Sequence, residues 1–239
     1  KKVINTTIAL NFDSLALGSL WLLRGAELSE PKIREDNQYR SQFMLGENAL
    51  TVDGDFFSFE ADEIVVSSKY FSYEEWVRFI QYQFLIQVMV YFGYSKELLY
   101  FAMREGQLEV TDILDELLSN KEKYPFLSQK VGEYSKKFTS NMFETREALQ
   151  SHLNSVLTDL GQDKEALVSL SKTRIIYGFV TQLLFDDQSN RFLTEIHDAI
   201  QNLYNGNDPK LFRDTSQVLL DLSIASIIDP RLGFQPSKE

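Results

Sequence analysis

His152 and His197 are the only imidazoles in 239 residues, and cysteine is absent. A metal centre on a helix wants two ligands three or four residues apart, so that both leave one face. Neither histidine has an HxxxH or HxxE neighbour. His152 adjoins the stripe Leu149/Leu153/Val156, and His197 adjoins Leu193 and Ile200, so both read as flank positions of buried helix faces rather than ligands or bases. Without cysteine the chain can form no disulfide, thiolate zinc site, Cys-ligated iron–sulfur cluster or Cys nucleophile. Glu144, Glu147 and Asp159, or Asp186 with Asp187, are carboxylates of a kind that bind cations. No EF-hand spacing organises them, and a solvated helix face is the better reading. GxxxxGK, GxGxxG and GxSxG are all missing, which removes the phosphate cradle and the nucleophile elbow. A metal-free hydrolase would need a paired acid and base, and the scattered carboxylates supply none. No catalytic residue and no metal site is nominated.

Bulk properties narrow the classes further. The formal net charge is −11 and the pI about 4.8, with no cluster of Lys and Arg. Nucleic-acid and anionic-membrane binders work by clustered cations, so neither partner is expected. A hydrophobic content of 44% with 13% aromatics is enough for a core. Trp76 to Tyr94 is the one membrane-like stretch, but Arg78, Gln81, Gln83 and Gln87 interrupt it, and it reads as a buried helix. Absence of cysteine fits a reducing compartment, and a cytoplasmic location is expected. There is no initiator Met and no signal sequence, so the chain is expected to begin inside a longer polypeptide.

The elements fall into two blocks: a strand-rich segment over 1–68 and a helical domain over 69–239. The fold class expected is α+β, predominantly α. Val3 to Leu10 and Ser19 to Arg24 are short apolar runs that read as buried strands. Ser29-Glu30-Pro31 opens a short helix to about Asn37. Gln42 to Leu45 reads as a strand ended by Gly46, and Asp53-Gly54 as a hairpin turn between Leu50–Val52 and Phe56–Phe59. Ile64-Val65-Val66 is a β-branched run. Ser72, with Glu75 three residues on, then has the form of a capping box. The helix it starts runs from Tyr73 to about Gly93, with Trp76, Phe79, Ile80, Phe84 and Val88 on one face. Val110, Ile113, Leu114, Leu117 and Leu118 form a clean stripe after a turn at Gly106. Pro125 reads as a break. Further helices are expected near Asn141 to Gly161, from Asp163 to about Phe185, along the stripe Phe192–Tyr204, and from Asp208-Pro209 to about Ile228, where Pro230 stops the chain and Gln235 to Glu239 fray. Aromatic residues crowd the first two helices: Tyr70, Phe71, Tyr73, Tyr82, Tyr91, Phe92, Tyr94, Tyr100 and Phe101. They suit a large core, an apolar docking surface, or both.

Three stretches, in order, resemble the region that follows the barrel core of cobalamin-binding radical S-adenosylmethionine proteins. Leu20-Trp21-Leu22-Leu23-Arg24-Gly25-Ala26-Glu27-Leu28, with Ser29, Pro31 and Arg34, is similar to that family's last barrel strand, an apolar run followed by Pro-Gly-Thr-Glu and a short helix. Arg24 stands where the family favours Pro, and Ala26 where it favours Thr. Glu60 to Val66 with Ser72, Glu74 and Glu75 make the second stretch, and Lys96 to Phe101 closing at Gly106 the third. Together they span about residues 20–106.

The resemblance implies a parent enzyme with a four-iron cluster on a CxxxCxxC loop, a barrel that binds S-adenosylmethionine, and a preceding domain that binds cobalamin. None of the cluster ligands lies in this chain, so it holds no cofactor of its own and does not perform reductive cleavage alone. It would be a non-catalytic C-terminal portion that covers the barrel, excludes water and shapes a substrate pocket. Trp21, Arg24, Gly25 and Glu27 would lie near cofactor or substrate in the intact enzyme. Its partners would be the parent's N-terminal domains and a small-molecule substrate of undetermined structure. The alternative is a helical interaction or self-association module without enzymatic role, forming a homo-oligomer or binding another protein through its aromatic helices.

Overall fold

Short apolar runs over 40–67, ending in Ile64-Val65-Val66 and followed at Ser72 by a helical period, divide strand from helix in the computed structural model. The structure describes residues 1–10, 17–53, 56–159, 172–185 and 188–226. Among them are ten α-helices and one two-stranded antiparallel sheet, an α+β arrangement that is mainly α. The helices are α1 (Lys2–Ala9), α2 (Pro31–Asn37), α3 (Tyr73–Ile86), α4 (Lys96–Arg104), α5 (Val110–Ser119), α6 (Pro125–Ser140), α7 (Arg146–Asp159), α8 (Lys172–Phe185), α9 (Ser189–Leu203) and α10 (Pro209–Ser226). The strands are β1 (Arg40–Asp53) and β2 (Phe56–Ser67). Two compact units contain them: residues 18–81 with 133–178, and residues 1–17 with 82–132 and 179–239. No helix among the described residues is long and apolar enough to cross a membrane.

The unit of residues 18–81 and 133–178 is built on the hairpin. Arg40 pairs with Ser67 at one end and Asp53 with Phe56 at the other, with irregularities at Arg40/Ser41 and between Leu45 and Leu50. Gly46 therefore does not end the strand. β1 continues past it at the cost of a register shift, as an unbranched glycine permits. One face of the hairpin buries Leu45 against Leu149 and Leu153 of α7, with Phe43, Phe59, Ala61, Phe143 and Val156 around them. Phe43 and Phe143 exchange backbone hydrogen bonds at 2.7 and 2.8 Å. The capping box forms: Ser72 N–H donates to Glu75 Oε2 at 2.8 Å, and Glu75 N–H to Ser72 Oγ at 3.2 Å. Trp76, three residues into α3's first turn, is buried, and its ring lies 6.2 Å from that of Phe138.

In the other unit, Ile113, Leu114 and Leu117 of α5 and Phe192, Leu193, Ile196 and Ile200 of α9 are fully buried, as their stripes require. After Ile86 the chain continues as a π-helical turn, Gln87–Tyr91, before Gly93 takes a positive φ of 77°. Val88, Met89 and Val90 of that turn are all buried.

Four further expectations are corrected. Val3–Leu10 is not a strand: Lys2–Ala9 is helix α1, its Ile8 buried and its Asn5 tied to α5. An eight-residue apolar run is compatible with either period, and here packing decides. Pro125 does not break a segment. It occupies the first position of α6, where its missing N–H costs nothing. The helix placed at Asn141 begins only at Arg146, because Asn141 and Met142 close the end of α6, their N–H groups donating to the Phe138 and Thr139 carbonyls at 3.2 Å. Ser19–Arg24 is extended but forms one bridge, Trp21 to Ile64, rather than a strand. Gly54, Gly161, Asp163, Asp186, Asp187, Ile228, Pro230 and the final residues lie outside the described residues.

Candidate functional site

Trp21, Arg24, Gly25 and Glu27 share one segment laid against β2. Leu22 N–H donates to the Glu63 carbonyl and Val65 N–H to the Leu20 carbonyl, each at 2.9 Å, so the segment runs antiparallel to β2. Beyond Leu23 it turns. Gly25 sits at φ 79°, in the left-handed region that a side chain disfavours, and Ala26 N–H closes the turn onto Leu23 O at 3.1 Å. Glu27–Ser29 is a single 3₁₀ turn leading into α2. Arg24, Gly25 and Glu27 are exposed, and Trp21 is 37% exposed. Arg24 and Glu27 make no ion pair with one another. Arg24 and Gly25 thus lie on the turn, with Trp21 before it on the bridged stretch and Glu27 just after it, and the carboxylate and the cation are both in solvent.

What holds the turn is a different set of groups. Arg34 of α2 donates through Nη1 to Glu63 Oε1 at 2.7 Å and through Nη2 to Glu63 Oε2 at 2.6 Å. Its Nε donates to the Ser29 carbonyl at 3.1 Å. Ser29 Oγ in turn donates to the Leu23 carbonyl, and Ser41 Oγ to Glu63 Oε1 at 2.5 Å. A planar guanidinium fork matched to a carboxylate is a strongly directional pair. Burial works to raise the Glu63 carboxyl, but the hydrogen bonds from Arg34 and Ser41 outweigh it and hold the group below the usual carboxylate range. Sequence reasoning quoted Arg34 and Glu63 without assigning them this role. Their separation along the chain hides the contact, and only the antiparallel approach of segment and strand reveals it.

In the other unit, the two connections α4–α5 and α9–α10 line an open cleft of about 650 Å³. Glu105, Asp112, Tyr204 and Asp208 line it, but the Asp208 carboxylate is already engaged, accepting from Leu211 N–H at 2.9 Å as the cap of α10. Tyr204 stacks on Phe212, ring centroids 3.8 Å apart and nearly parallel at 3°.

His197 is buried with Ser216, its Nε2 3.1 Å from Ser216 Oγ, and Asp198 Oδ1 is 3.7 Å from its Nδ1. The combination has the residue types of a nucleophilic triad, but Ser216 is wholly buried and its hydroxyl donates to the Arg213 carbonyl at 3.0 Å. It also accepts from Gln201 Nε2. This serine ties α10 to α9 and presents no nucleophile. The His152 ring lies beside that of Phe143, centroids 5.0 Å apart and tilted by 34°. Among the described residues no three His, Asp or Glu groups converge as metal ligands, and Glu144 accepts from Gln42 Nε2 at 2.7 Å.

Compared with known proteins, the chain matches no family model and no curated protein.

Proposed function

We propose that this chain is the C-terminal portion of a radical S-adenosylmethionine enzyme. Leu20–Leu23 would contribute the end of the last barrel strand and Arg24–Arg34 the turn and short helix that follow it, and the helices would cover the barrel and shape the substrate pocket. One observation carries the reading. Two of the stretches that resemble the family, separated in sequence, are joined by the Arg34–Glu63 fork and by the paired backbone bonds of Leu22 and Val65. That union supports treating them as one inherited piece, with Gly25 at its turn and Trp21, Arg24 and Glu27 placed towards cofactor or substrate. A barrel strand also needs a parallel neighbour, which preceding polypeptide would supply.

The residues present do not fit the cluster itself. A four-iron centre needs thiolates, and this chain has no cysteine. In this reading the cluster, S-adenosylmethionine and any cobalamin belong to upstream polypeptide. The role left for this chain is to close the site against water, which protects reactive intermediates.

The test joins the chain to the coding sequence upstream of Lys1 and measures iron, sulfide and reductant-dependent cleavage of S-adenosylmethionine under anaerobic conditions. Cluster assembly that requires an upstream CxxxCxxC, with cleavage altered when residues 18–239 are removed, supports the reading. Upstream sequence without that motif overturns it. A second reading, a helical interaction module, is favoured by a separate feature on α10.

A further inference from the structure

α10 carries two stripes. Phe212, Ser216, Leu220 and Ser223 are buried on the side where the helix packs against α4 and α9. Leu211, Thr215, Val218, Leu222 and Ala225 follow the alternating four-and-three spacing of a heptad seam, which brings all five onto one strip of the helix. That strip faces outward. Leu211 is 62% exposed, Val218 57% and Leu222 60%, while Ala225 is exposed and Thr215 partly so. Single apolar residues at a surface are ordinary, but a periodic apolar strip is a surface shaped for another helix. Asp214 and Asp221, both exposed, each stand immediately before a seam residue and one heptad apart. In the heptad scheme these are the flanking positions whose charges select the partner.

We propose that α10 docks a basic amphipathic helix of a partner protein. Its apolar residues would lie along Leu211, Val218 and Leu222, and its Lys or Arg side chains would meet Asp214 and Asp221. Charge complementarity selects this occupant over a second copy of the chain. Two copies would each bring a net charge of −11. Pairing α10 with itself in parallel sets Leu219 opposite Asp214, and pairing it antiparallel sets carboxylate against carboxylate. Neither arrangement supplies a cation.

The experiment titrates the full chain into two fluorescein-labelled three-heptad peptides, followed by fluorescence anisotropy. Both peptides carry Leu at the seam positions. One has Lys at the flanking positions and the other has Glu. The Lys peptide is expected to bind saturably and the Glu peptide about tenfold or more weakly. Leu211→Ser with Leu222→Ser, both at exposed positions, should weaken the Lys peptide about tenfold with an unchanged circular dichroism spectrum. Asp214→Asn with Asp221→Asn should reduce both its affinity and its salt dependence. Absence of binding overturns the proposal. So does Lys-peptide binding that ignores the two Leu substitutions, since that would be attraction to net charge alone. A dimer in sedimentation equilibrium that the same Leu substitutions dissolve also overturns it, giving the seam to a second copy.

Discussion

Glu195 of α9 accepts hydrogen bonds from the backbone N–H of Phe126 at 3.0 Å and from that of Leu127 at 2.7 Å. A side chain far along the sequence thus completes the N-terminus of α6, which Pro125 opens. Carboxylates at this end of a helix satisfy unpaired donors and meet the positive end of the dipole. Glu195→Ala should lower unfolding free energy by about 1–2 kcal/mol. Urea denaturation should show a lower midpoint at an unchanged slope, and Glu195→Gln should recover part of the loss.

Glu63 offers a second test. Its folded carboxyl is held below the ordinary value of 4.5, so the unfolded chain binds the proton more readily. The stability this group contributes is present above about pH 4.5 and is lost as pH falls through the lower folded value. Glu63→Gln should cost roughly 1–3 kcal/mol at neutral pH, the loss of hydrogen bonds to a charged group. The variant's stability should then fall less steeply than wild type below pH 4.5. Changing Arg34 and Glu63 together to Met should cost less than the two single changes summed, because no lone charge remains.

For His197 the sign is opposite in charge but alike in direction. Burial pushes the imidazole below its ordinary 6.5, partly opposed by Asp198 and Asp221. The folded state holds it neutral while the unfolded state takes up a proton, so stability is full above about pH 6.5 and declines as pH falls below it. Nε2 lies 3.1 Å from Ser216 Oγ, which is also 3.0 Å from the Arg213 carbonyl. His197→Gln can keep a hydrogen-bonding group there. Thermal melts between pH 7 and pH 5 should show a smaller decline for the variant than for wild type.

Gly106 ends α4 in a space with no room for a side chain. A Cβ there would stand 2.5 Å from the Ala102 carbonyl oxygen and 3.0 Å from Phe212 Cε2. The backbone oxygen cannot swing away, and Phe212 is held in the stack between Phe101 and Tyr204. Gly106→Ala should destabilise by about 1–3 kcal/mol. Chemical denaturation read by near-UV circular dichroism should show the aromatic signal lost at lower denaturant than in wild type.

Much of this molecule was legible in its residues because the signals are local. The capping box at Ser72, Pro31 at the start of α2, the cap at Asp208 and the stripes of α5 and α9 each act over one or two turns, and all formed where their spacing put them. The pairing of Leu50–Asp53 with Phe56–Phe59 followed from the short runs on either side of the hairpin signal, whereas the continuation of β1 through Gly46 did not. Less legible were the features completed by distant groups. α1 is a helix whose Asn5 caps α5, accepting from Thr111 N–H at 3.0 Å and donating to Thr111 Oγ1 and Glu109. α6 depends on Glu195. The turn at Gly25 depends on Arg34 finding Glu63. Helical period and turn chemistry are properties of neighbouring residues, so the chain order alone specified them. Which carboxylate or amide meets an unsatisfied backbone end depends on segments remote in sequence, and only the folded arrangement could decide it.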